Sequence, residues 1–279
     1  MKNKIYPCIW SDGQAREAAL FYCSLFEKSK IIDDNPMVVN FELSGQQFML
    51  LNGGPMFRPN PSISLSVICE TDEEINKLWR QLTENGKIMM PLDQYDWSEK
   101  YGFLEDRFGV AWQLMKGDFK DVKQKITPCL LFVGDNYGQA EKAVRYYTGL
   151  FPEAAIQGIL LYEANEPMDG KVKHSQFTLN GTVFMAMDGM GEHHFDFNEG
   201  LSLVVTCKDQ QEIDYYWEQL TANGGVESQC GWLKDPFGVS WQIVPEVLGQ
   251  LMQDPDKGPR VIQAFMKMKK FDIAALMNA

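Results

Sequence analysis

Apolar residues recur at two spacings along the chain, and each spacing predicts a different element. Residues 15–26 and 140–151 place alanine, valine and aromatic side chains three or four positions apart, which is typical of a buried helix face. Residues 38–51 and 175–187 alternate apolar with polar positions around Ser44-Gly45 and Asn180-Gly181, which predicts two hairpins with tight turns. Strand, helix and hairpin return in the same order, so the pattern predicts a chain built from a repeated unit.

Two stretches carry the repeat most clearly. Residues 106–113 read Asp-Arg-Phe-Gly-Val-Ala-Trp-Gln and residues 235–242 read Asp-Pro-Phe-Gly-Val-Ser-Trp-Gln, with six of eight positions identical. Residues 74–86 match residues 212–224 at eight of thirteen positions. Because side chains alternate along a strand, the adjacent Trp and Gln of each motif are expected on opposite faces of a sheet.

The repeat predicts two tandem modules, each of two βαβββ units, and so an α+β fold. The first module covers residues 1–118, a polar connector covers 119–125, and the second module covers 126–245. Residues 246–279 lose the pattern and read as a helical tail, with Pro259 placed to begin a helix. We expect the two modules to pair within the chain like the halves of a dimer, and a further homodimer stays open.

Charge and cysteine spacing exclude several classes of protein. The chain has 38 acidic and 26 basic residues, a net charge of −12, which argues against a nucleic-acid partner and against anionic membranes. No apolar run is long enough to cross a bilayer or to form a secretory signal, so a cytoplasmic protein is expected. The six cysteines form no Cys-x-x-Cys pair and lie mostly in apolar strands, which favours buried thiols over disulfides or zinc.

Paired βαβββ units that end in Phe-Gly-Val-x-Trp-Gln resemble the vicinal oxygen chelate superfamily, which has the glyoxalase and bleomycin-resistance fold. Residues 189–198, 230–235, 238–245 and 268–276 resemble its PhnB-like group, which is often labelled a demethylubiquinone methyltransferase domain. The resemblance implies that the paired units of each module form a curved, U-shaped mixed sheet with helices outside. The ligand is then expected in the concavity.

The same resemblance bears on metal chemistry. Metal-using members of the superfamily hold a divalent ion with His and Glu side chains on the inner strands. By position, those ligands fall here on prolines, which have no metal-binding side-chain atom, and on residues with neutral side chains. They are Pro7, Pro128, Ser64, Ser202, Gln113 and Gln242. Such groups hold a hard dication poorly without carboxylates. We therefore predict no metal ligands and no cofactor, with a divalent metal kept as the less favoured alternative.

Candidate site residues come from the second module and from the repeated motif. His194 is the candidate catalytic residue, because a histidine beside acidic residues can act as a general acid or base; a solvated loop histidine is the alternative. Aromatic walls with a few orienting polar groups are typical of ligand pockets, although the tryptophans equally suit a core and Cys230 a buried thiol. The predicted ligand-binding residues are Trp232, Trp241, Gln242, Ser202, Asn198, Cys230, Trp112 and Gln113.

These features favour a protein that binds a small, planar or oxygenated molecule in an aromatic cleft without a catalytic metal. The alternative is a superfamily enzyme, a lyase, dioxygenase or transferase, that uses His194 or an unusual metal site. Methyl transfer is disfavoured, because the sequence has no glycine-rich loop between a strand and a helix to cradle a nucleotide-like cofactor.

Overall fold

The structure is a computed structural model that describes residues 4–279. The first copy of the repeat has eight strands and two helices, followed by a single helical turn, in the order that the sequence predicts. The strands are β1 (Ile5–Ser11), β2 (Lys30–Asp34), β3 (Val38–Leu43), β4 (Gln46–Asn52), β5 (Ile63–Cys69), β6 (Lys87–Tyr95), β7 (Ser98–Glu105) and β8 (Ala111–Lys116). The helices are α1 (Ala15–Leu25), α2 (Asp72–Leu82) and the short α3 (Phe119–Val122).

The second copy repeats this order and continues into the tail. Its strands are β9 (Ile126–Phe132), β10 (Ala155–Leu161), β11 (Val172–Leu179), β12 (Thr182–Asp188), β13 (Leu201–Cys207), β14 (Val226–Glu227), β15 (Trp232–Lys234) and β16 (Ser240–Pro245). Its helices are α4 (Ala140–Leu150) and α5 (Gln210–Thr221), with 3-10 turns at Gly134–Asn136 and Ala222–Gly224. The tail contains α6 (Leu248–Gln253), α7 (Gly258–Phe265) and α8 (Ile273–Met277).

The chain divides into two compact units, the larger of which is residues 7–201. Eight strands of this unit form one mixed sheet in the order β10-β11-β12-β9-β5-β8-β7-β6. Strands β5 and β9 lie antiparallel at its centre, with Ile63 opposite Leu130 and Val67 opposite Ile126. The second βαβββ unit of the first copy and the first unit of the second copy therefore share this sheet.

The rest of the larger unit is a four-stranded arrangement from the first βαβββ unit. Strand β4 pairs with β1 in parallel and with β3 in antiparallel fashion, and β3 pairs with β2. The smaller unit, residues 4–6 and 202–279, contains the parallel pair β13 and β16, with β15 and β14 added in antiparallel fashion, and the helical tail.

Both predicted hairpin turns form as the sequence indicates. Ser44 and Gly45 have φ angles of 49° and 79°, and Asn180 and Gly181 have φ angles of 48° and 77°. Two successive positive φ values are characteristic of the tight turn whose twist matches its flanking strands. The residues before and after each turn therefore keep the register that places alternate side chains on one face.

Part of the connector is buried in the structure, although its sequence is mostly polar. Val122 of α3 is buried, and Gln124 is buried beside it. The Gln124 side chain donates to the Val183 carbonyl at 2.8 Å and accepts from the Val183 amide at 2.9 Å. An amide that satisfies both backbone groups of one strand residue fixes the connector against β12.

The predicted fold class is confirmed: the protein is α+β, with mixed sheets, surrounding helices, two tandem modules and a helical tail. The module boundaries at 118 and 126 stay a prediction from the repeat. None of the helices in residues 4–279 is long and apolar enough to cross a membrane.

Candidate functional site

A hydrogen-bonded chain of side chains crosses the centre of the eight-stranded sheet. Strands β5 and β8 run parallel, and this register allows the Gln113 Nε2 to donate to the Ser64 Oγ at 2.8 Å. The Tyr101 hydroxyl on β7 donates to the Gln113 Oε1 at 2.9 Å. Both ends of the amide are engaged, so Gln113 is held in one orientation.

The row of polar side chains continues onto β9, in the other copy of the repeat. Cys129 of β9 lies directly opposite Ser64, so its thiol is on the same face of the sheet as the side chains of Ser64 and Gln113. Burial raises the pKa of the Cys129 thiol to about 12, and the neighbouring polar side chains of Gln113 and Ser64 only partly oppose the rise. The thiol is therefore neutral at physiological pH, and it is a weak hydrogen-bonding group there.

Thr127 adds a hydroxyl to the same face of the sheet. It lies opposite Ser66, two residues from Cys129, and strand alternation places all three side chains on one face. Its Oγ1 is buried and has no hydrogen-bond partner among residues 4–279. We call the group formed by Ser64, Tyr101, Gln113, Thr127 and Cys129 the polar seam. Its unpaired hydroxyl can bind a further polar atom.

Apolar and thioether side chains surround the polar seam. Cys129 packs in a buried cluster with Ile68, Val183 and Met185, and Met115 and Met187 lie against that cluster. Methionine is flexible and polarisable, and it adapts to ligands of varied shape. The face therefore combines a few fixed polar groups with an adaptable apolar surround, which is the usual composition of a small-molecule site.

Trp112 points to the opposite side of the sheet. It is fully buried, its indole Nε1 donates to the Asp106 Oδ2 at 2.8 Å, and its ring lies 5.4 Å from Tyr22 and 5.8 Å from Phe26. Strand alternation, as expected for adjacent Trp and Gln, separates it from Gln113. The geometry of Trp112 favours packing against α1, and a ligand contact by this residue stays a prediction.

The smaller unit repeats the glutamine and serine pair. The Gln242 Nε2 donates to the Ser202 Oγ at 2.9 Å, and Trp232 lies opposite Gln242 on the adjacent strand. Trp241 is fully buried and donates from Nε1 to the Asp235 Oδ2 at 2.8 Å. Ser202, Trp232 and Gln242 are thus brought together, whereas Trp241 occupies the position that Trp112 has in the first copy.

Cys230 lies beneath the helical tail. Its backbone N–H donates to the Met268 carbonyl at 2.8 Å, and its Sγ is 3.9 Å from the Met266 Sδ. Burial raises the pKa of the thiol, so it is less nucleophilic than an exposed cysteine. Cys230 is only partly buried in this packing, and ligand binding by Cys230 stays a prediction.

The loop before β13 carries the candidate catalytic residue. The His194 side chain is exposed and forms no hydrogen bond with the other residues in 4–279. Asn198 stabilises the loop, because its Nδ2 donates to the Arg58 carbonyl at 3.0 Å and its Oδ1 accepts from the Gly200 N–H at 2.8 Å. A catalytic role for His194 and a binding role for Asn198 stay predictions.

The sequence pattern does not identify several members of the polar seam. It presents Tyr101 as a structural counterpart of Cys230 and Cys129 as a buried thiol, and it does not single out Thr127. His174 lies in β11 between β10 and β12, where burial lowers its pKa. Alternation from Gln113 identifies the face, but only the pairing of β5 with β9 brings Thr127 and Cys129 to it.

The donor set does not fit a divalent ion. The oxygen atoms of Ser64 and Gln113 are neutral and already hydrogen-bonded, and hard dications need carboxylate or several free oxygen ligands. Across residues 4–279, no three His, Cys, Asp or Glu side chains are grouped as metal ligands. The chemistry of the polar seam is therefore that of neutral hydrogen-bonding groups.

Comparison with known proteins adds the family. The family model described as 3-demethylubiquinone-9 3-methyltransferase matches residues 3–115 and again residues 124–244. No curated protein matches the chain. The two matches together cover most of the sequence and coincide with the two copies of the repeat.

Two solved structures are similar at different levels. A PhnB protein from Bacillus cereus, which carries the name of a 3-demethylubiquinone-9 3-methyltransferase, is 37% identical; the match covers 39% of this chain and 96% of that chain, with a TM-score of 0.38. Glyoxalase I from Zea mays is 10% identical over 86% of this chain and 91% of that chain, with a TM-score of 0.58, and shows the fold alone. The chain therefore belongs to the family described as 3-demethylubiquinone-9 3-methyltransferase, the PhnB-like group of the glyoxalase and bleomycin-resistance superfamily.

Proposed function

We propose that the protein binds an uncharged, oxygen-bearing small molecule at the polar seam, without a catalytic metal ion. The observation that carries the proposal is the unpaired, buried hydroxyl of Thr127 on the same face of the sheet as the fixed amide of Gln113. A buried polar group without a partner costs about 1–3 kcal/mol, and a ligand oxygen or N–H at that position recovers the cost. The ligand is uncharged, because the five side chains of the seam are neutral and a charge needs a paired partner to be buried.

The polar seam is proposed in place of the second-module cleft centred on Trp232 and Trp241. Gln242 and Ser202 form the same pair there, but Trp241 is engaged by Asp235 and packs on the other side of its strand. The seam has in addition the Tyr101 hydroxyl and the Thr127 hydroxyl. Those two groups give it more hydrogen-bonding capacity for a ligand.

The repeat supplies a matched pair of variants for the test. Gln113→Leu and Gln242→Leu remove the same amide from the same kind of strand beside a serine, one at the seam and one outside it. Ligand-observed NMR with 2,3-dihydroxynaphthalene, a neutral probe with two neighbouring oxygens, is expected to show binding to the wild type and to Gln242→Leu. Gln113→Leu is expected to weaken it about tenfold, as the loss of one good hydrogen bond predicts.

A second variant covers the case in which Gln113→Leu does not fold. Thr127→Val keeps the shape of the side chain and removes only the hydroxyl, so it tests the same site. Equal binding by wild type, Gln113→Leu and Thr127→Val would locate the ligand elsewhere. Binding lost in Gln242→Leu alone would favour the cleft of the second module.

The alternative is an enzyme of the superfamily that uses His194 or an unusual metal site. The family name suggests methyl transfer, but the sequence has no glycine-rich loop to hold a nucleotide-like cofactor. Elemental analysis of untagged protein purified without chelator discriminates the two hypotheses. One divalent ion per chain would contradict the metal-free proposal, and loss of a measured turnover in His194→Ala would support the enzyme.

A further inference from the structure

The hairpin β6–β7 is the largest difference between the two copies of the repeat. Its strands have nine and eight residues, whereas the corresponding β14 and β15 have two and three. Register shifts interrupt the pairing of β6 with β7 at three places, between Ile88 and Met90, Met90 and Asp93, and Asp93 and Tyr95. Such irregularities increase the local bend and twist of a strand pair and redirect its side chains.

Three aromatic side chains cluster at the end of this hairpin. Tyr95 and Trp97 are stacked, with ring centroids 5.0 Å apart and an interplanar angle of 24°. Tyr101 presents its edge to both, at 5.8 Å from Tyr95 and 5.9 Å from Trp97. The Tyr95 hydroxyl donates to the Pro91 carbonyl at 3.0 Å, which ties the cluster to its own strand.

One member of the cluster is exposed to solvent and another is partly buried. The Trp97 side chain is 58% exposed to solvent. Tyr101 is partly buried, and its hydroxyl donates to the Gln113 Oε1 of the polar seam. Aromatic surface therefore runs without interruption from solvent at Trp97 to the hydrogen-bonding groups of the proposed site.

We propose that the β6–β7 hairpin is a stacking platform that selects a planar ring in the ligand of the polar seam, with Trp97 as the specificity-determining residue. This inference rests on the proposed function. A flat ligand places its ring against the aromatic cluster and its oxygen atoms towards Gln113. A saturated ring of the same size makes the polar contacts but cannot stack.

The test uses one planar and one saturated probe of the same carbon skeleton, with the full-length protein. 2,3-Dihydroxynaphthalene and cis-2,3-decalindiol have the same carbon skeleton and the same pair of neighbouring hydroxyls. Dissociation constants are measured by ligand-observed NMR titration for wild type, Trp97→Ala and Trp97→Leu. Tyr215→Ala, which removes another exposed aromatic side chain in the smaller unit, is the control.

Trp97→Ala and Trp97→Leu are both expected to weaken binding of the naphthalene probe by roughly three- to tenfold, which is the usual contribution of an aromatic pair. Neither is expected to change binding of the decalin probe, and Tyr215→Ala is expected to change neither. Leucine keeps apolar surface but not a flat face, so a preserved affinity in Trp97→Leu would contradict stacking.

The other outcomes separate this inference from the proposed function. If the wild type binds both probes and Trp97→Ala leaves their ratio unchanged, the platform is wrong and the polar seam stands. If the wild type binds neither probe, both proposals are overturned. If sedimentation shows that Trp97→Ala dissociates a dimer, Trp97 belongs to a contact between chains and the platform is wrong.

Discussion

Ser64 and Cys129 face each other on neighbouring antiparallel strands that belong to different copies of the repeat. The Ser64 hydroxyl accepts a hydrogen bond from Gln113, and the Cys129 thiol lies on the same face of the sheet. The polar seam is therefore completed by side chains from both copies. Duplication here does more than repeat a module, because neither copy alone contains all five side chains of the seam.

The Cys129 thiol is expected to be chemically quiet. Burial raises its pKa to about 12, so almost none of the reactive thiolate is present at pH 8. Pulse labelling with N-ethylmaleimide followed by peptide mass spectrometry is expected to modify Cys23 and Cys230, which are only partly buried, well before Cys129. In urea all three should label at similar rates. Labelling of native Cys129 as fast as Cys230 would contradict this assignment.

Thr127→Val is expected to raise the stability of the ligand-free protein. The substitution removes a buried hydroxyl that has no partner in residues 4–279, and it preserves the volume of the side chain. The free energy of unfolding, measured by urea denaturation, is expected to rise by about 1 kcal/mol. Ligand binding is expected to weaken in the same variant.

Opposite effects on stability and binding distinguish a ligand-binding hydroxyl from an ordinary packing defect. Ser240→Ala is the control, because the Ser240 Oγ is also buried without a partner among residues 4–279 but lies in the smaller unit. It is expected to leave ligand binding unchanged. A Thr127→Val protein that is both less stable and unchanged in binding would rule out the proposed role.

Local pattern is sufficient to predict the elements and the fold class. The turn residues Asn180 and Gly181 predict their hairpin from backbone preference alone, and the strand over residues 201–207 follows from its apolar run. Separation of Trp112 from Gln113 also follows from strand alternation. These features depend on residues near one another in sequence, so they can be predicted from one sequence.

The residues of the polar seam come together through strand pairing between distant parts of the sequence, which the sequence pattern does not predict. Alternation shows that Ser64 and Gln113 share a face only after β5 and β8 are known to be neighbours, and Cys129 joins them only through the pairing of β9 with β5. Tyr101 reaches Gln113 because β7 pairs with β8, which places Tyr101 opposite Met115. No local spacing encodes these contacts.

Asp106→Asn is expected to destabilise the larger unit. The Asp106 side chain is buried and accepts hydrogen bonds from the Tyr22 hydroxyl and the Trp112 indole, each at 2.8 Å, and from the N–H groups of Phe108 and Val110. An asparagine amide has one accepting oxygen, so donors on one side lose their partner. Each unpaired buried donor costs about 1–3 kcal/mol, which urea denaturation with tryptophan fluorescence detects.

Asp34→Asn is the control for that measurement. Asp34 accepts from the Arg16 Nε at 2.6 Å, but the Arg16 side chain is 72% exposed and that of Asp34 is 31% exposed, and ion pairs at the surface contribute little to stability. Its unfolding transition is expected to match the wild type. If Asp106→Asn also matched the wild type, the buried network would not contribute to the stability of the fold.

The partly buried His174 is expected to make the protein less stable as the pH falls below about 6.5. Burial lowers the pKa of His174 below its ordinary value of 6.5, so the unfolded chain takes up the proton more readily than the folded one. The stability contribution is full above the unfolded pKa and is lost as the pH falls from there through the lowered pKa of the folded state. Urea denaturation at pH 7.5, 6.5 and 5.5 measures how the free energy of unfolding changes with pH.

His174→Asn is expected to reduce this pH dependence between pH 5.5 and 7.5. His194→Asn, a substitution at an exposed site, is the control. Parallel curves for wild type and His174→Asn would show that His174 does not cause the acid sensitivity.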